Sequence, residues 1–322
     1  MKIDISVYRG YVNEKELVLS GHVFKSWAPS QYSIQKRAFK HAFAIFKMFS
    51  IKPLKNIPVS LEFQGIKTTT KSLDDGYFSF RIPFTQKLES GWHNCSVICK
   101  ANTYNIVTTG EILKPFDGMY GIISDIDDTF LISHSSNFFK KLYVMLMQNI
   151  DKRQVFEDVS EHYQALSLAG QDGHQLSNSF FYVSSSEWNL YPFIIAIANK
   201  YQLPKAVIKL KKIKTGIGDF LFTGRGNHDH KFNKIKDIIS FYPLSQYILL
   251  GDDSQKDPYL YEQICKLFPE NIKAVYIRQT GKHQKEAVTG ILQNISSLKP
   301  ETLYFTESKS AIAHSKRIGI ID

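Results

Sequence analysis

Two short apolar runs, far apart in the chain, each end in a cluster of acids. Gly121-Ile122-Ile123-Ser124 leads into Asp125-Ile126-Asp127-Asp128-Thr129, and residues 246–250 lead into Gly251-Asp252-Asp253, with Asp257 following. Runs this short and this apolar suit strands buried on both faces, as in a parallel sheet covered by helices. The surrounding sequence agrees. Strand-like segments at 180–183, 206–210, 273–277 and 302–305 alternate with helical ones at 138–150, 154–168, after Leu190-Tyr191-Pro192, at 230–240 and at 284–295. This alternation predicts an α/β fold, a parallel sheet with helices on both faces.

Residues 1–115 have a different texture. Short extended runs at 17–24, 59–63, 77–82, 93–100 and 106–112 are punctuated by turn signals such as Asp74-Asp75-Gly76. They predict a smaller, mainly-β, sandwich-like domain ahead of a catalytic domain at 116–322. A chain of 322 residues is long enough for both. Within the first part, 32–49 predicts a helix with Phe39, Ala42, Phe43, Phe46 and Phe49 on one side. Such a helix packs on its own domain or lies on a membrane.

Composition excludes several classes. A hydrophobic share of 43% with 22% charged residues is globular rather than disordered. No apolar run approaches the ~18 residues needed to span a bilayer. The first residues lack the apolar stretch of a secretory signal. Cys95, Cys99 and Cys265 cannot make a dense disulfide framework. On one strand, Cys95 and Cys99 would sit ~13 Å apart, too far to bridge. These features lead us to expect a soluble, cytoplasmic protein with reduced thiols.

Forty Lys and Arg against thirty Asp and Glu give a net charge of +10, which favours anionic partners. The basic residues concentrate in two acid-free stretches, 17–61 and 188–218. The second carries Lys205, Lys209, Lys211, Lys212 and Lys214, which read either as a solvated basic face or as a peripheral contact with an anionic membrane surface. No zinc-finger spacing or RNP-type motif is present, so nucleic acid is not expected. The sequence assigns no oligomeric state.

Acids packed at strand ends repel one another, by roughly 4 kcal/mol per pair at ~4 Å and an effective dielectric near 20. A hard cation such as Mg²⁺ relieves that cost. The competing reading is exposed loop acids or helix caps, and recurrence at two strand ends argues against it. In open parallel sheets ligands bind beyond the carboxyl ends of the strands, where these acids stand.

Asp125-x-Asp127-x-Thr129 after an apolar strand resembles the first motif of the haloacid dehalogenase superfamily of phosphotransferases. The resemblance implies that Asp125 attacks phosphorus and that Asp127 is the general acid/base, which also gives the metal its backbone carbonyl. Such chemistry needs phosphate charge neutralised and a proton for the leaving alkoxide. Three further motifs are implied. Ser184 would hold phosphate, with Ser185 and Ser186 as rivals. Lys231 would neutralise it, although Lys234 and Lys236 are close by. Asp252 would bind Mg²⁺ with Asp125 and Asp127, supported by Asp257 or Asp253.

The chain is closer still to the actin-patch-type phosphatidate phosphatase family. Tyr8-Arg9-Gly10-Tyr11, Gly21-His22-Val23-Phe24, Asp75-Gly76-Tyr77-Phe78 and Gly91-Trp92-His93 are similar to that family's N-terminal region. Ser124 to Thr129, Tyr182 to Pro192, His230-Lys231, and Gly251 to Pro258 with Tyr261 resemble its catalytic motifs. The chain departs from the pattern at Glu187, where proline is usual, and at Asp253-Ser254, where Ser-Gly is usual.

The resemblance implies a haloacid-dehalogenase-like fold and a Mg²⁺-dependent phosphomonoester phosphatase with an aspartyl-phosphate intermediate. Its expected substrate is phosphatidate or a related lipid phosphate. A soluble sugar phosphate or nucleotide is the alternative, because residues 133–178 stand where the superfamily inserts a substrate-covering cap. A non-catalytic membrane or protein adaptor built on the β domain is the remaining reading.

Overall fold

We describe residues 3–25, 52–101, 104–116, 120–126, 157–170, 177–211, 229–254 and 256–322 of a computed structural model. The helices expected over 32–49 and 138–150, together with Asp127, Lys212 and Lys214, lie outside these residues.

The first seven strands are β1 (Ile3–Val12), β2 (Glu16–Lys25), β3 (Pro58–Phe63), β4 (Ile66–Lys71), β5 (Tyr77–Pro83), β6 (Gly91–Ala101) and β7 (Tyr104–Lys114). They form one sheet in the order β4-β3-β6-β7-β1-β2-β5. Neighbours are antiparallel except β1 and β7, which run parallel. The edge strands β4 and β5 touch, so the sheet is nearly closed on itself. This corrects the sandwich expectation. Curling covers the apolar face and shields the edges without a second sheet, enclosing Leu17, Leu19, Leu61, Phe78, Val97 and Ile112. Gly21 is where β2 passes closest to its neighbours. A Cβ there would lie 2.2 Å from the Ser6 carbonyl oxygen and 2.5 Å from the Phe78 ring.

The second sheet contains β8 (Tyr120–Asp125), β9 (Ser179–Glu187), β10 (Ala206–Lys211), β11 (Gln246–Asp252), β12 (Ile272–Arg278) and β13 (Glu301–Phe305). Its order is β10-β9-β8-β11-β12-β13, with every pair parallel. The helices are α1 (Glu157–Ser167), α2 (Tyr191–Lys200), α3 (Asp229–Phe241), α4 (Asp257–Leu267), α5 (Glu286–Ser296) and α6 (Ser308–Arg317).

Alternate strand residues sort the helices onto two faces. Ile122, Phe180 and Ile248 pack with Tyr163 of α1, Ile194 of α2 and Ala311 of α6. Ile123, Phe181 and Leu249 pack with Ile235 of α3, Ile264 of α4 and Ile291 of α5. The expected α/β sheet with helices on both faces is what forms.

β1 joins the two sheets. Tyr11 sits edge-on to Phe181 and Phe241, with ring centroids 6.4 and 4.7 Å away. The Arg9 amide donates to the Tyr191 hydroxyl at 2.9 Å, and Asn13 Nδ2 to the Phe241 carbonyl at 2.9 Å. Two lysines of the acid-free stretch belong to this seam. Lys205 pairs with Glu111 at 2.5 Å, and Lys209 Nζ donates to the Tyr11 hydroxyl at 2.8 Å. Both ammonium groups are therefore engaged within the molecule, while Lys205 itself remains exposed.

Candidate active site

β8 lies in the middle of the parallel sheet. The chain leaves it for β9 and β10 on one side and returns for β11 on the other. The order thus reverses between β8 and β11, and such a switch point opens a crevice at the carboxyl edge. Register fills it. Asp125 pairs with Val183 and Ser124 with Leu250, so Asp125, Ser184 and Gly251-Asp252 reach the same edge.

Asp125, Asp252 and Asp257 are buried, and each offers an oxygen within 4.8 Å of the others. Asp257 arrives as the first residue of α4, where a helix N-terminus favours a carboxylate. Lys231, in the first turn of α3, places Nζ 2.9 Å from Asp125 Oδ1 and also pairs with Asp257 Oδ1. Burial opposes the charge on Lys231. The Asp125 and Asp257 carboxylates outweigh it and lift the lysine above its ordinary range.

The supporting groups are equally specific. Gly251 leaves room for nothing larger than hydrogen: a Cβ would lie 2.7 Å from Asp257 Oδ2 and 2.9 Å from the Tyr261 ring. The Tyr261 hydroxyl donates to the Leu250 carbonyl at 2.8 Å, fixing the end of β11. Ser124 Oγ donates to the Asp125 carbonyl at 2.8 Å and shares a 2.6 Å hydrogen bond with the Tyr163 hydroxyl. Burial raises the Tyr163 pKa, keeping that phenol neutral beneath Asp125.

Asp253 points elsewhere. Its carboxylate accepts from the Thr280 amide at 2.9 Å, the Thr280 hydroxyl at 2.5 Å and the Tyr304 hydroxyl at 2.5 Å. Burial works against its charge, but the Thr280 and Tyr304 hydrogen bonds prevail and hold the carboxyl below the usual range. Of the two acids left open by sequence, Asp257 joins the buried group, while Asp253 braces the ends of β12 and β13. Ser184 is buried at the end of the apolar part of β9, and Ser185 is exposed.

The group suits a hard cation. Asp257 Oδ2 is buried with no hydrogen-bond partner among the described residues, an arrangement that normally requires an ion or water. Carboxylate oxygens converging from separate elements are the donor set that Mg²⁺ takes. Sequence reasoning overlooked Tyr163 and the steric role of Gly251. It noted Lys234 only as a neighbour of Lys231, although three-residue spacing on a helix places both on one face.

Residues 120–279 match the catalytic-domain model of phosphatidate phosphatase APP1. This region belongs to that catalytic family. The match contains Asp125, Ser184, Lys231, Asp252 and Asp257. Over 204 residues the chain is 27% identical to phosphatidate phosphatase APP1 of Saccharomyces cerevisiae, covering 58% of this chain and 32% of the yeast protein. The chain thus spans about a third of that relative's length. Among solved structures, a carbohydrate acetylesterase from Xanthomonas citri aligns with 97% of this chain and 72% of its own, at 10% identity and a TM-score of 0.33. A Parabacteroides merdae β-glucuronidase aligns with 86% of this chain and 34% of its own, at 9% identity and a TM-score of 0.27. Likeness at that level carries no argument about function.

Proposed function

We propose that the protein is a Mg²⁺-dependent phosphatase that hydrolyses phosphatidate through an aspartyl-phosphate on Asp125, with a haloacid-dehalogenase-like catalytic domain at 116–322. The observation that carries this reading is the buried group of Asp125, Asp252, Asp257 and Lys231 at the switch point, inside the stretch that matches the APP1 catalytic family.

In this reading an Asp125 oxygen attacks phosphorus as the bond to the lipid alcohol breaks, and Asp127 protonates the departing alkoxide. Asp127 then takes a proton from the water that attacks phosphorus and releases Asp125. Lys231 holds a positive charge beside the attacking oxygen, and Ser184 and Ser185 bind the phosphoryl oxygens. Asp125, the backbone carbonyl of Asp127 and Asp252 would hold Mg²⁺, with Asp257 supporting them, and the ion would supply the charge neutralisation that lets a carboxylate approach an anionic phosphate. The proposed setting is the cytoplasmic side of an anionic membrane, supported by the net charge of +10.

The test is phosphate release by the purified protein with Mg²⁺, comparing phosphatidate in mixed micelles with sugar phosphates and nucleotides. Preferential turnover of phosphatidate is expected. Equal or faster turnover of the soluble esters overturns the lipid assignment, and release from none of them overturns the function.

A further inference from the structure

The ladder between β9 and β10 breaks at the candidate phosphate-binding segment. Val183 pairs with Lys209, yet the next registered pair is Glu187 with Lys211. Ser184, Ser185 and Ser186 therefore stand opposite Leu210 alone. Such a bulge re-aims side chains and is common beside active sites, but it needs something to hold it. Lys234 bridges the break. Its Nζ donates to the Ser184 carbonyl at 2.9 Å and to the Lys209 carbonyl at 3.3 Å, one acceptor on each strand. One helix, α3, thus sends Lys231 to Asp125 and, three residues later, Lys234 to the main chain of Ser184.

We propose that Lys234 is a positioning residue for phosphate recognition, setting the Ser184 segment against the incoming phosphoryl group without touching substrate. The inference rests on the proposed function only in taking Ser184 as a phosphate ligand. A charged donor shared by two carbonyls makes a stronger anchor than a neutral one, which suits the conformation of a bulged segment.

The experiment compares Lys234→Met, Lys234→Arg, Ser184→Ala and the double variant Ser184→Ala/Lys234→Met. Readouts are inorganic phosphate binding by calorimetry, KM and kcat on a small phosphomonoester, and thermal midpoint. Lys234→Met should weaken phosphate binding and raise KM by about tenfold, with kcat changed less. Lys234→Arg should restore most of the loss. In the Ser184→Ala background, Lys234→Met should add little. Unchanged phosphate binding, additivity with Ser184→Ala, or a lower midpoint without a change in KM overturns the proposal. If Lys234→Met does not fold, Lys234→Gln takes its place, and collapse of both overturns the proposal in favour of a purely structural lysine. Wild type that binds phosphate but hydrolyses no ester overturns the phosphatase reading and leaves the binding comparison decisive for Lys234.

Discussion

The imidazole of His22 lies flat on the indole of Trp188, with ring centroids 3.9 Å apart and planes 8° from parallel. His22 belongs to β2 of the curled sheet, and Trp188 directly follows the strand that carries Ser184. The Tyr8 hydroxyl hydrogen-bonds His22 Nδ1 at 2.7 Å, while the Tyr8 ring packs on Tyr191 at 4.5 Å. The first sheet therefore grips the chain just where it leaves the candidate phosphate-binding segment.

Trp188→Ala should accordingly be costly. The indole is buried and also meets Phe24 at 6.0 Å, so its loss leaves a cavity between the sheets. Removing a buried tryptophan costs about 3–5 kcal/mol. Urea denaturation checks the figure. A loss under about 1 kcal/mol would mean that the gap collapses freely and that the sheets are not braced at this point.

Asp125→Asn should abolish turnover, by about 10⁴-fold or more, because an amide is a poor nucleophile. Phosphate release from phosphatidate measures it. Residual activity within about tenfold of wild type would assign the attack on phosphorus to another group.

Gly251→Ala tests the metal group by steric means. The added methyl cannot coexist with Asp257 Oδ2 at 2.7 Å, so the carboxylate must move. Misplacing one supporting carboxylate should weaken Mg²⁺ binding about 10- to 100-fold. Chelator should remove activity, and added Mg²⁺ should restore it at a higher concentration in the variant. Saturating metal should also raise wild-type stability, by about 2.7 kcal/mol at 100 times its Kd. A wild type whose thermal midpoint ignores both chelator and Mg²⁺ would rule out a metal at these carboxylates.

Much of this arrangement is legible in the residues, for identifiable reasons. The strands of the parallel sheet are short apolar runs because helices cover both faces, so Ile122, Phe180 and Ile248 mark them plainly. β4 escapes notice because Ile66–Lys71 is rich in threonine and lysine and alternates between partly buried and exposed positions. Pro258 disguises α4, yet it stands in the first turn, where proline is tolerated. Alternation in residues 1–115 reports that one face is buried and not what covers it, hence a curled sheet where a sandwich was expected. The acids at the ends of β8 and β11 can be read from sequence. The separation of Asp257 from Asp253 cannot, since it depends on α4 turning one carboxylate inward while Thr280 and Tyr304 claim the other. Lys209 and Tyr11 meet across 198 positions, a contact that local pattern does not encode.

His162 sets a pH dependence of stability. It is buried on α1, with Nε2 3.2 Å from Ser315 Oγ and its ring edge-on to Tyr276. Burial, then the Arg278 and His314 charges, push its pKa down from 6.5 to about 3. The folded protein therefore keeps this imidazole neutral where the unfolded chain protonates it, so the unfolded state binds more protons between those values. Stability must rise with pH across that window, by about 1.4 kcal/mol per unit, and level off for this group above about pH 7. Between about pH 7 and about pH 5 the wild type should lose roughly 2 kcal/mol on this account. His162→Gln has no such titration, so its loss over the same interval should be smaller by that amount. Urea unfolding of both proteins at the two pH values makes the comparison. Parallel losses in wild type and variant would show that His162 is not held neutral in the folded state.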